Sequence, residues 1–299
     1  MAAQSTAGLA LTSFTTAAIA AAIEAAVRPR ATAIPGPART AAATRLSGAS
    51  ALLATAALAD SATEHYRGAF HNKNMVLPLV VAAQALGASV HGATDRGSRP
   101  SAIRHSGQVL AAVTGVIGTG FHFYNIMKRP GGWSWLNLFY AAPIGAPFAL
   151  SLAGMLGGIA ERLRGSRALF GLVPGRAIAR LVSLGLVGAS GEAALMHFRG
   201  AYHNPAMVIP VTAPPVAAAL LAGATVCPRL AGPAALALKA LTGVGLAGAA
   251  FHAYGIQRNM GGWRNWSQNV LNGPPLPAPP AFTALALAGL AALKLLERE

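Results

Sequence analysis

Two stretches decide how this chain is read: EHYRGAFHNKNMVLP, from Glu64 to Pro78, and MHFRGAYHNPAMVIP, from Met196 to Pro210. The second restates the first 132 positions later, keeping two histidines, an Arg-Gly pair, an asparagine and a closing Met-Val-x-Pro. Each follows a long apolar run. Gly68 and Gly200 read as helix ends. Asn204-Pro205 reads as an N-cap followed by proline at the first helical position, with Asn72 in the same cap place. The phrase is therefore a tight helix–turn–helix. On one unbroken helix its two histidines would point about 120° apart; across the glycine turn they can converge.

The surroundings identify the solvent. Of the 299 residues, 54% are hydrophobic and only 10% charged, against about 25% charged in soluble domains. Lipid is the expected medium. Apolar runs of about 20 residues fall at Leu46–Arg67, Asn74–His91, Ser106–Met127, Leu138–Ala160, Ala177–Arg199, Pro205–Val226, Pro233–Ile256 and Pro280–Leu296. The formal charge of +15 does not point to nucleic acid, because the basic residues are scattered between apolar runs rather than gathered in one patch. Cys227 is the single cysteine, which excludes a disulfide framework and a cysteine-based zinc cluster.

A second pair of phrases follows the first. FHFYNIMKRPGGWSW starts at Phe121 and FHAYGIQRNMGGWRNW at Phe251, an offset of 130. Their Gly-Gly-Trp turns hold all four tryptophans, Trp133, Trp135, Trp263 and Trp266, placed as interfacial anchors. The expected fold is all-α: a polytopic membrane bundle of two tandem parallel repeats, 46–164 and 176–299, each of four transmembrane helices. Residues 1–45 form an apolar segment that is a possible extra N-terminal helix, then a Pro/Arg-rich linker. The segment lacks a basic n-region, which argues against a cleaved signal peptide.

Charge sets the expected orientation. Sixteen of the 23 Lys and Arg fall on one side of this map and seven on the other. The richer side is cytoplasmic, in an inner (plasma) membrane, so the histidine phrases face the periplasm or exterior. His65, His71 and His122 in the first unit, and His197, His203 and His252 in the second, then share one membrane face. His91 and His105 lie near the other face as ordinary interfacial residues.

Six histidines in matched threes suggest three kinds of site. In the first, His65 with His122 and His197 with His252 ligate haem b axially, leaving His71 and His203 for a propionate or a substrate. In the second, all three histidines of a unit and a carboxylate hold iron, copper or zinc. Both make the protein a redox or electron-transfer component, served by a partner subunit or a quinone. The third is metal-free: an exterior-facing polar pocket, for transport or binding, that takes a small anion or quinone. Asp60 and Glu192, each five residues before the first histidine, and Arg67 and Arg199, two turns later, read as supporting groups or as carboxylate–arginine staples of the helix end. Glu64 has no counterpart and is the weaker candidate. Gly115 and Gly118, like Gly245 and Gly248, share the face of the following histidine and admit either a neighbouring helix or a flat cofactor. Cys-x-x-Cys-His, His-x-x-His-His boxes, Walker A, dinucleotide-binding and Gly-x-Ser-x-Gly motifs are absent, and no motif assigns a catalytic reaction.

Overall fold

The computed structural model describes residues 34–165 and 173–299. The N-terminal apolar segment lies outside them. The described residues form ten α-helices. They are α1 (Gly36–Arg67), α2 (Leu77–Thr94), α3 (Ala102–Met127), α4 (Trp135–Tyr140), α5 (Gly145–Arg164), α6 (Pro174–Arg199), α7 (Ile209–Ala224), α8 (Ala231–Arg258), α9 (Trp266–Asn272) and α10 (Pro280–Leu296). Single 3-10 turns precede α2 and α7, at Lys73–Val76 and Pro205–Val208.

Six helices are long and apolar enough to cross a bilayer: α1, α3, α6, and α2, α7 and α8 with their leading 3-10 turns. The chain is a multi-pass membrane protein on that ground. The two remaining expected spans differ from expectation. Leu138–Ala160 is not one helix, because α4 stops at Tyr140 and Ala141 is extended. Pro143 drives the break: it lacks an N–H and pushes the residue before it out of the helical region. The chain restarts as α5, whose last turn carries Glu161, Arg162 and Arg164. The last span, α10, has 17 residues, about 25 Å against a hydrocarbon core of about 30 Å.

These two helices are short of lipid because they are wrapped in protein. Nearly all of α5 from Leu150 to Arg164 and most of α10 are buried. Around α5 stand α1 and α3; around α10 stand α8, α6 and α1. Lipid supplies no hydrophobic drive between helices, so association rests on close backbone approach through small residues. Gly154 on α5 meets the backbone of Gln108 and Ala112 on α3, with no room for a Cβ. The α1–α10 seam joins the two parts of the chain, whereas α5 and α6 touch sparsely.

At the end of the first part away from the matched histidines, charge is buried but matched. Arg104 Nε donates to Glu161 Oε1 at 2.8 Å and its Nη2 to Asp95 Oδ2 at 2.8 Å. Arg164 donates to the carbonyls of Gly92, Asp95 and Gly97. Glu161 also accepts from the Ser101 N–H at 2.7 Å. The Gly97 N–H, helped by Arg104 and Arg164, holds the Asp95 carboxyl below the usual carboxylate range.

Candidate functional site

The two phrases fold alike. In the first, the Phe70 N–H donates to His65 O at 3.0 Å and the Ala69 N–H to Tyr66 O at 2.9 Å. In the second, Tyr202 donates to His197 O at 3.1 Å and Ala201 to Phe198 O at 2.9 Å. This is a Schellman ending, but the left-handed residues are Ala69, Phe70, Ala201 and Tyr202. Gly68 and Gly200 have ordinary negative φ. Glycine stands there for space: a Cβ at either would lie 3.1 Å from the Met75 or Met207 methyl. Asn72 and Asn204 cap the next turn, each accepting at 2.9 Å from the N–H two residues on.

Each matched histidine is fixed through the same ring atom. His65 Nδ1 lies 2.6 Å from Met75 O, and His197 Nδ1 2.8 Å from Met207 O. His122 Nδ1 lies 2.5 Å from Pro143 O, and His252 Nδ1 2.7 Å from Pro275 O. A carbonyl only accepts, so in each ring Nδ1 carries the proton. In the neutral ring Nε2 then keeps its lone pair, the arrangement found in metal-ligating histidines. His71 and His203 are exposed and bond through Nδ1 to Gly68 O and Gly200 O, both at 3.0 Å.

Proline explains why those carbonyls are free. Met75 O would serve residue 78 in a 3-10 turn, and Met207 O residue 210; both are prolines without an N–H. Pro143 O and Pro275 O would serve residues 147 and 279 in an α-helix, again prolines. Pro275 O does accept weakly from the Ala278 N–H, at 3.3 Å. The signal lay in the sequence as the Met-Val-x-Pro ending and in the spacing of prolines around α5 and α10.

His65 and His122 are near enough for their charges to interact, as are His197 and His252. Among the described residues, no three His, Cys, Asp or Glu side chains are grouped as one ion would require. A single metal held by all three histidines of a half with a carboxylate is therefore not assembled. The second half's His197, His203 and His252 line one cavity of about 1210 Å³. That cavity also receives Asp60, Arg67, Glu192 and Arg199, and so lies between the two parts of the chain.

The expected carboxylate–arginine staples do not form. Arg67 pairs with Glu64 at 2.6 Å, a turn nearer than Asp60, and Arg199 lies over the Tyr140 ring at 5.4 Å. Glu192 instead reaches across to the amino end of α5, where its carboxylate sits against the Gly145 N–H and fills the place a Cβ would take. Asp60 makes no hydrogen bond or ion pair among the described residues. The glycine faces take a helix rather than an open slot. Gly115 meets Ser151 and Pro147 of α5, and Gly245 meets Thr283 and Pro279 at α10. A Cβ at Gly248 would lie 2.8 Å from Pro279, although this glycine also borders the cavity.

No protein-family model, no curated protein and no solved structure matches the chain.

Proposed function

We propose that this is a redox or electron-transfer membrane protein that holds haem b, or else a transition metal, on two histidine pairs, His65 with His122 and His197 with His252. The observation that carries the reading is the shared Nδ1–carbonyl lock, which leaves four Nε2 lone pairs, two in each half. Haem suits a two-histidine set better than a bare ion does, because its iron needs only two axial ligands. Arg67 and Arg199, on the cavity wall, offer partners for propionates. Absorbance and metal analysis of the purified protein test this. A Soret band with about two haems per chain is expected. His122→Ala and His252→Ala should each remove one equivalent, and His91→Ala none. Full haem in both variants, or no haem and no metal in the native protein, ends the proposal.

The second reading is metal-free: an exterior pocket for a small anion or a quinone. It draws on the size of the cavity and on its mixture of arginine, histidine and apolar wall. Binding of a quinone analogue by cofactor-free protein would favour it.

The proposed frame is two parallel units, 46–164 and 176–299, related by a pseudo-two-fold axis along the membrane normal, with the histidines outside. The matched turns support the first part and the basic asymmetry the second. A cysteine placed at Asn74 should react with an impermeant reagent from outside, and one at Ser98 only from within. The reverse pattern would overturn the orientation.

A further inference from the structure

Helices α1 and α10 run in opposite directions along their seam. The first residues of α1 and the last of α10 meet at the end remote from the six matched histidines. A cleft of about 170 Å³ opens there, lined by Ala38, Ala41, Arg45, Lys294 and Arg298. The three cations are exposed, and none makes a side-chain hydrogen bond or ion pair among the described residues. The nearby carboxylates do not neutralise them. Glu299 turns to the Gly175 N–H at 2.5 Å, and Glu297 is exposed without an ion pair. The alanine floor leaves room for a tetrahedral anion to approach the helix backbone. Ala38 belongs to the first turn of α1, the end of a helix that favours negative charge.

The seam continues toward the bilayer centre as an apolar track. Leu52 lies seven residues beyond Arg45 on α1, and Leu287 seven residues before Lys294 on α10. Both spacings are two turns on one face, about 10 Å deeper. Each leucine is 37% exposed. A free phosphate would use the cations alone. A molecule with a phosphate and an acyl chain would use both features.

We propose that this cleft binds an anionic phospholipid, its phosphate among Arg45, Lys294 and Arg298 and an acyl chain along Leu52 and Leu287. Basic pockets between membrane helices bind such headgroups. The site is independent of whatever the histidines hold.

Native mass spectrometry of the detergent-purified protein tests it, with phosphatidylglycerol, phosphatidylcholine and inorganic phosphate as probes. A single phosphatidylglycerol adduct is expected. The triple variant R45Q/K294Q/R298Q should bind it on the order of 100-fold more weakly, whereas R45K/R298K should keep it. A folded triple variant that retains the adduct overturns the site. Equal retention of phosphatidylcholine overturns the charge selectivity, and displacement by equimolar phosphate marks an anion site without a lipid. If the triple variant does not fold, the thermal midpoint of the native protein decides. A rise with phosphatidylglycerol and not with phosphatidylcholine supports the proposal, and equal rises refute it.

Discussion

Helices α5 and α10 are both packed among longer helices, α5 against α1 and α3 and α10 against α8, α6 and α1, yet their ends are held differently. At the histidine end, the carboxylate of Glu192 crosses from α6 to the Gly145 N–H. The residue 132 positions after Gly145 is Pro277, which has no N–H to offer Asp60. At the other end, Asp95, Arg104, Glu161 and Arg164 form a closed set around α5. The residues 130 or 132 positions further on in the sequence are Cys227, Ala234, Leu293 and Leu296. The histidines, their carbonyl partners and the turns that carry them are kept in both halves, while polar anchoring of the central helix is kept in one. What the halves share is therefore the machinery around the imidazoles, and each half stabilises its central helix in its own way.

That contrast can be broken at its strongest point first. Glu161→Ala leaves Arg164 buried without a carboxylate and Arg104 with Asp95 alone, and should cost about 3–5 kcal/mol. Unfolding by SDS in mixed micelles reads this; a loss below about 1 kcal/mol would mean that the cluster is bystander charge.

The cap at α5 comes next. Glu192→Ala removes the acceptor at Gly145 and should cost about 1 kcal/mol. Gly145→Ala should cost a similar amount, because its Cβ displaces the same carboxylate. The double variant should then cost no more than either single change, since both remove one interaction. Additive losses would show that Glu192 does not cap α5.

Asp60→Ala is the smallest expected effect, within about 0.5 kcal/mol, because no hydrogen bond or ion pair is lost. A loss as large as that of Glu192→Ala would restore the symmetry denied above and reveal an unrecognised partner for Asp60.

Much of the histidine end was legible before any coordinates. The caps at Asn72 and Asn204 and the turn between helices follow from residue type and spacing. The glycine faces were legible as close-approach surfaces, but which neighbour filled them depended on where α5 and α10 lay. Those two helices were read as ordinary spans, because an apolar run does not reveal whether protein or lipid surrounds it. The arginine partners were misjudged for a related reason. Arg67 had two carboxylates within reach along one helix and took the nearer, and Arg199 found an aromatic ring on α4, a helix the sequence had merged into a longer span.

The prolines after the phrases have a consequence beyond helix geometry. Each removes a donor, and what it removes becomes an instruction to an imidazole elsewhere in the fold. Replace Pro78 or Pro147 by alanine, and the helix gains an N–H that competes for the carbonyl now reserved for His65 or His122. The ring could then turn over or move its proton to Nε2, the nitrogen now left open. In this protein the protonation pattern of a histidine is written by a hydrogen that proline does not have.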